Sequence, residues 1–346
     1  MAARIVGQVT GDATRRWGVR GTDLGVPVEL ADGRIGYFFG DTFASAHAGG
    51  RGWRSPVMLR TDRVPPAAGI AFTSAAGGRR AAQILPNQRD TREVPAVEAP
   101  GSEFTVIPSD AITIGARTYL SVVSVHSWRA ADWMSNFTYL AWSDDCGETW
   151  ARSPARWDNT PGALDQHWTM ERRDGYVYVM SSAFGRRERD GVILRRVRED
   201  ALLDPAAYEP WGWTREHGWR WGTPATPILP GPVGEMSLRL VDGVWVLAYF
   251  DPAAYAIVTR VADRVDGVWS PPAVQVHGGA WDDHGGAGGR DGTGPVAQLY
   301  GGYVHPLSTL DDLHLLVSQW NTTRGAPYRV LHARGSVADQ AAEVIR

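Results

Sequence analysis

Thiol chemistry is almost missing from this chain, because Cys146 is the only cysteine in 346 residues. No disulfide can form within the chain, and metal sites built on several thiolates are excluded. Lysine is absent altogether, so the 35 basic residues are all arginine, a mark of GC-rich coding rather than of a binding surface. Against 38 acidic residues the formal net charge is −3, which leaves no electrostatic footprint for nucleic acid or an anionic membrane. The longest apolar runs, such as Val244 to Phe250, fall far short of the ~20 residues of a membrane-spanning helix. The stretch "MAARIVGQVTGDATRRWG" lacks the apolar segment of a secretory signal. No G-x-S-x-G, Walker, Rossmann or H-E-x-x-H motif is present, so serine hydrolysis, nucleotide use and zinc proteolysis have no motif support. No spacing of His, Asp and Glu forms a ligand cluster, and neither a metal nor a cofactor is expected.

Long helical patterns are scarce too, and what stands in their place is short β-rich runs punctuated by Gly, Pro and Asp. A strand-turn-strand unit recurs at 26–41, 111–125, 169–184, 236–251 and 305–320. Each turns around Asp-Gly, Gly-Ala or Asp-Asp, the chemistry of tight β-connections. Five such hairpins along one chain predict an all-β fold, a five-bladed β-propeller occupying residues 1–346 as a single domain, because radial repetition hides sheet edges. A β-sandwich is the main rival. The segment "WSDDCGETW" (142–150) favours the propeller, since it resembles the Asp-box turn of sialidases and other propellers, a structural hairpin remote from chemistry. Residues 76–101 read as a long connection. The glycine-rich stretch 278–295 reads either as a surface insert or as a substrate-covering loop.

If each hairpin forms the two inner strands of a blade, the start of its first strand and the end of its second share one rim of the channel. Asp23 and Asp41, His167, Glu235, His305, Gln319, Trp320 and Asn321 fall at such positions. The first hairpin also serves as a ruler. With Ala31-Asp32-Gly33 at its tip, paired residue numbers sum to a constant, and Asp23 falls opposite Asp41. Directly opposed side chains have Cβ atoms ~4.5–5.5 Å apart, and opposed like charges destabilise a sheet unless they have a use. Glycoside hydrolysis supplies one, with one carboxyl group as acid and the other as nucleophile or base. Asp41, emerging from a buried strand, is the expected nucleophile and Asp23 the acid/base.

The other positions carry two readings each. Glu235 orients a sugar, tunes an aspartate or forms an ordinary rim salt bridge; His305 binds a hydroxyl or packs in the channel. Trp320 and Asn321 suit a sugar platform and a hydroxyl partner. Trp133 and Asn136 lie where a loop of the second blade could extend the groove. Most of the 16 tryptophans are expected to be core.

The segments "GTDLGVPVEL", "GRIGYFFGDTF", "GEMSLRLVDGVWVLAYF", "YGGYVHPLS" and "LHLLVSQWN" together resemble the glycoside hydrolase family 183 endo-D-arabinanases, formerly a domain of unknown function common in actinobacteria and their phages. The resemblance spans about Gly21 to Tyr328. It implies a five-bladed propeller that cleaves α-linked D-arabinofuranose in mycobacterial arabinogalactan and lipoarabinomannan with retention, acting outside the cell or on the cell wall. It also implies that Asp23 and Asp41, in the G-T-D-L-G and F-G-D-T-F motifs, are catalytic, with Asp41 the nucleophile. The expected partner is therefore a polysaccharide, D-arabinan, and the expected state a monomer. An exo-acting furanosidase of other specificity and a non-catalytic glycan-binding propeller are the alternatives.

Overall fold

The computed structural model describes residues 2–86, 102–128, 134–186 and 191–345. Five sheets of four or five strands each, antiparallel except for the outermost pair of the fourth, succeed one another along the chain, and their first strands pack side by side in a closed ring. These inner strands are Leu24–Glu29, Thr105–Ile114, His167–Arg173, Met236–Val241 and Leu299–Val304, which define blades 1 to 5. The expected five-bladed propeller is thus the observed fold. The ring closes through the chain start: Arg4–Gln8 pairs with Tyr328–Gly335 and becomes the outermost strand of blade 5.

Four of the five inner hairpins lie where the turn residues place them. In blade 1 the tip is Ala31-Asp32-Gly33, closed by hydrogen bonds from Leu30 N to the Arg34 carbonyl and from Gly33 N to the Leu30 carbonyl, and Asp32 accepts from the Arg34 backbone at 3.1 Å. The fifth differs. Its first strand is Leu299–Val304 and its second Leu313–Trp320, so residues 305–312 form the turn rather than opening the blade. The "YGGYV" run, with two consecutive glycines, gave a weak strand signal; packing between neighbouring blades overrides it.

The Asp-box turn forms as its residue types require. Asp145 accepts from Ser143, from the backbone of Glu148 and Thr149 and from the Thr149 hydroxyl, and Trp150 packs edge-on against Phe38 with centroids 5.4 Å apart. The many donors outweigh partial burial and hold the Asp145 carboxyl down at about 2.

The apolar residues of the strands are buried between neighbouring blades. One cluster joins blades 1 and 2 around Phe38, Met58, Leu120 and Tyr139. Others join blades 2 and 3 around Trp168, blades 3 and 4 around Trp245, and blades 4 and 5 around Ile257 and Leu315. Each blade thus completes the core of the next.

An inner strand has one edge facing the channel, and its N–H groups there have no ladder partner. Side chains of the preceding blade supply acceptors. Met170 N donates to Asp110 Oδ2 at 2.8 Å, Leu238 N to Thr169 Oγ1 at 2.6 Å, Val304 N to Ser237 Oγ at 3.0 Å and Leu24 N to Ser318 Oγ at 2.9 Å. At the centre of this ring Arg239 of blade 4 meets Asp110 of blade 2 in a two-pronged pair of 2.7 and 3.0 Å. The same guanidinium donates to the carbonyls of Leu238, Met170 and Pro27. Burial opposes the Arg239 charge, but the Asp110 carboxylate more than offsets it and pushes the Arg239 pKa up.

Removing one partner of such a pair strands the other charge in the interior. Arg239→Met is expected to lower unfolding free energy by about 3–5 kcal/mol in urea titrations. The double variant Asp110→Leu/Arg239→Met should recover a large part of that loss; equal losses in both would show that the stranded charge is not the cause.

Candidate active site

The first hairpin delivers two carboxyl groups to one rim. Its regular ladder runs from Glu29–Ile35 to Val26–Phe38 with the expected constant sum, but Leu24 pairs with Phe39, one residue out of step. Beyond the gap an isolated bridge joins Gly21 to Phe43, and Thr22 and Thr42 share a 2.7 Å hydroxyl bond, so the original register is restored. Two compensating irregularities therefore bracket Asp23 and Asp41. The simple opposition expected from the ruler does not hold: the Asp23 carbonyl accepts from Gly40 N at 3.4 Å, and Asp41 is one residue beyond. Gly40 is glycine for a reason of space, because a Cβ there would lie 2.5 Å from Asp23 Oδ1.

The surroundings of the two carboxyl groups differ. Asp41 Oδ1 accepts from the Trp53 indole N–H at 2.8 Å and from the Thr105 hydroxyl at 2.7 Å, and these donors temper the upward push of burial on its pKa. Asp23 Oδ2 accepts from the Tyr300 hydroxyl at 2.8 Å, and the nearby Tyr328 hydroxyl also favours the carboxylate form. Asp23 Oδ1 is buried with no partner among the described residues. Burial first, then the charge of Asp41, and in smaller part that of Glu235, raise Asp23 to about 7 against the pull of both tyrosines. Burial thus raises the pKa of both carboxyl groups, Asp23 to about 7, while the two donors on Asp41 work against the rise there.

Three further sequence-predicted positions gather at this rim. Glu235 is buried and ion-paired to Arg186, while its Oε2 accepts from Gly301 N at 3.2 Å. Burial would raise its pKa, but Arg186 and His167 bring it below the usual carboxylate value. His167, buried at the start of the blade 3 inner strand, has its own pKa lowered by burial. Trp320 stacks obliquely on Tyr328 with centroids 5.7 Å apart, and its indole N–H is buried without a partner among the described residues.

Other positions have structural duties. His305 follows the end of the blade 5 inner strand, opposite the rim that carries Asp23; its Nε2 bonds to the Tyr37 hydroxyl at 2.8 Å and its Nδ1 accepts from Leu307 N at 3.1 Å. Burial holds its pKa down at about 3. His305 is thus buried away from that rim, because the fifth hairpin begins six residues earlier than its turn signal suggested. Gln319 is fully buried and spends its amide on the carbonyls of Gly286 and Ala297 and its oxygen on Arg329, fastening the glycine-rich stretch to blade 5. Asn321 caps its own turn by accepting from the backbone of Thr323 and Arg324. Asn136 ties Ser102 and Ser124 together and meets His126. Trp133 lies outside the described residues.

Tyr300, Tyr328, Trp53, Thr105 and Arg186 were not singled out from the sequence. They contact the carboxyl groups from blades 5, 1, 2 and 3, and no local motif encodes a contact between residues so far apart in the chain.

The sequence matches the family described as Domain of unknown function (DUF4185) over residues 8–334. The chain belongs to the DUF4185 family. Its relatives include the notoamide biosynthesis cluster protein J' of Aspergillus versicolor, 36% identical over 93% of this chain and 87% of that protein. Another is a 35.9 kDa protein encoded in the asd 3' region of Mycolicibacterium smegmatis, 30% identical over 93% of this chain and 94% of that protein. Among solved structures, the DUF4185 propeller is similar to a GH43_1 enzyme from Xanthomonas citri complexed with xylotriose, with a TM-score of 0.56, 13% identity and coverage of 96% and 90% of the two chains. An exo-β-1,3-galactanase from Phanerochaete chrysosporium gives a TM-score of 0.52 at 10% identity, covering 96% of this chain and 64% of the other. At these identities the likeness is one of fold.

The raised Asp23 pKa has a definite sign for stability. The folded state prefers the protonated group, so its stabilising contribution is complete below about 3.8 and is lost as pH rises toward about 7. Asp23→Asn removes that loss. The variant is expected to gain about 2 kcal/mol over wild type at pH 8 relative to pH 4, after discounting for partial exposure, measured by urea unfolding at both pH values.

Proposed function

We propose that this protein is a glycoside hydrolase, and specifically a retaining endo-α-D-arabinofuranosidase acting on the D-arabinan of mycobacterial arabinogalactan and lipoarabinomannan. The observation that carries the reading is the asymmetric carboxyl pair: Asp23, with a buried Oδ1 that no described residue contacts by a hydrogen bond, beside Asp41, whose Oδ1 is occupied by two donors. The motifs around both residues resemble family 183, which supports the polymer, the linkage and the retaining course. The fold likeness to sugar-cleaving propellers is consistent with it.

In this reading Asp41 attacks the anomeric carbon through Oδ2 while the Asp23 proton passes to the departing glycosidic oxygen. A glycosyl ester on Asp41 results, and Asp23 is left as carboxylate. Water then gives its proton to Asp23 and attacks the same carbon, which breaks the ester and restores both groups. The donors on Asp41 Oδ1 hold the nucleophile in one orientation, which is the entropic part of the task. Trp320 offers an aromatic face to the furanose bound there. The protein works as a monomer on polymer outside the cell or at the cell wall.

Incubation with mycobacterial arabinogalactan, followed by NMR of the first products, tests the reading. Mixed oligosaccharides with retained anomeric configuration are expected; monomer alone would indicate an exo-enzyme, inversion would refute the double displacement, and binding without turnover would make this a glycan-binding propeller. Asp23→Asn and Asp41→Asn should each lower kcat by about 10³-fold or more with the circular dichroism spectrum intact. The alkaline limb of the wild-type activity profile should fall near pH 7, where Asp23 loses its proton.

A further inference from the structure

The stretch "EPWGWTREHGWRWG" folds into a hairpin that the carboxyl site does not use. Its strands, Glu209–Thr214 and Gly218–Trp221, form the outer edge of blade 3, beyond His167–Arg173, Tyr176–Ser182 and Ile193–Arg198. Only Glu209 and Pro210 pair with the rest of the blade, on Arg196 and Arg195, so from Trp211 onward the hairpin leaves the sheet. The register sets Trp211 opposite Trp221 and Trp213 opposite Trp219, and alternation along each strand then puts all four indoles on one face. The other face is held down, because a Cβ at Gly212 would collide with the Pro224 carbonyl. Thr226 fastens the edge of the first strand, donating its N–H to the Trp211 carbonyl at 3.2 Å and accepting from Trp213 N at 3.0 Å.

The indoles are anchored in the core at one end and open at the other. Ring contacts run without a break from buried Trp245 to Tyr178 at 5.3 Å, Trp221 at 6.0 Å, Trp211 at 5.0 Å and Trp219 at 6.0 Å, and the last two rings are nearly parallel at 16°. Trp221 spends its N–H on Asp266 at 3.2 Å. Trp213 and Trp219, by contrast, are 50% and 45% exposed. Rings fixed from beneath lose little freedom when a ligand covers them, which favours stacking. The two open indoles present roughly 200 Å² of aromatic surface, against about 800 Å² on each partner of a stable protein interface. The exposed tip Arg215-Glu216-His217 and the Arg196–Glu209 ion pair frame them with groups that hydrogen-bond hydroxyls and oppose burial in an apolar partner. A small aromatic platform with a polar frame fits a hydroxyl-rich ring better than a protein surface.

We propose that this hairpin is a second, non-catalytic binding site for polysaccharide, in which sugar rings stack on Trp213 and Trp219; that the polymer is D-arabinan rests on the functional reading above. The hairpin lies three to four strands out from the inner strand of blade 3, roughly 14–19 Å at the spacing of neighbouring strands. It therefore holds a stretch of chain other than the one between Asp23 and Asp41. Its effect is to keep the enzyme on its polymer, raising the local concentration of cleavable linkages without touching the chemistry.

Trp213→Ala/Trp219→Ala removes both open rings and leaves Trp211 and Trp221 against the core, so circular dichroism and thermal unfolding should change little. In the turnover-free Asp41→Asn background, native gels cast with mycobacterial arabinogalactan should show the apparent Kd raised about fivefold or more by the double substitution. With Asp41 intact, KM for the polymer should rise about fivefold while kcat, and kcat/KM for a short arabinofuranoside oligosaccharide, stay within about twofold. Absent retardation of the Asp41→Asn protein, or retardation and polymer KM unmoved by the double substitution, overturns the proposal. Sedimentation showing wild-type dimers that the double variant lacks, with equal polymer binding in both, overturns it as well, since a second copy then covers the indoles. If retardation depends on the two tryptophans but the wild type releases no product, the binding site stands and the hydrolase reading fails. If the wild type cleaves arabinogalactan and the double variant is retarded equally, the hydrolase reading stands and the second site fails.

Discussion

The meeting of Arg239 with Asp110 on the propeller axis is the interaction around which the rest is arranged. Five inner strands cannot converge on a channel without bringing unpaired backbone groups to face one another, and a dry channel without polar side chains would leave them unsatisfied. A single guanidinium solves much of this problem, because its planar fork reaches a carboxylate and three carbonyls at once. The charge it brings is matched by Asp110, whose oxygens also take the Met170 N–H and the Thr169 hydroxyl. Blades 1 to 4 are thereby tied at one point, and the fifth is tied to its neighbours by Ser237 and Ser318. With the strands held in this way, the rim residues have a fixed frame from which to project.

The site uses that frame asymmetrically. Asp41 is served by donors from blades 1 and 2, Asp23 by donors from blade 5 only. Two carboxyl groups of the same kind, drawn from one hairpin, acquire different hydrogen-bond partners because different blades approach them. This is the arrangement that general acid and nucleophile demand, and it depends on inter-blade geometry rather than on the hairpin itself.

Much of the fold was legible in the sequence because a propeller repeats a local signal. Asp-Gly and Gly-Ala turns flanked by β-branched and aromatic residues placed four hairpins, and Ser143, Asp145, Gly147 and Thr149 specified their turn by side-chain bonds that involve only neighbours. The carboxyl pair was legible because it belongs to one hairpin. The failures were of two kinds. Gly301 and Gly302 broke the periodicity of the fifth inner strand, which moved His305 from the rim to the interior turn. The irregularities at Leu24–Gly25 and beyond Phe39 moved Asp23 and Asp41 out of simple opposition, since turn position fixes register only as far as the ladder stays regular. Tyr300, Tyr328 and Arg186 were out of reach altogether, being brought to Asp23 by the closing of the ring. Gln319, Asn321 and Asn136 illustrate the converse: polar residues at rim positions whose hydrogen bonds are consumed by loops and turns.

The strand Arg4–Gln8 lies alongside Tyr328–Gly335 and seals the ring by bringing an early segment of the chain against a much later one. The same order governs Asp23. It is synthesised well before Tyr300 and Tyr328, which reach its carboxyl group from the blade that closes the circle. A growing chain therefore carries Asp23 and Asp41 without these neighbours until the fifth blade docks. The surroundings of the carboxyl pair assemble in the same step as the fold, and a propeller lacking that blade has no complete version of the site.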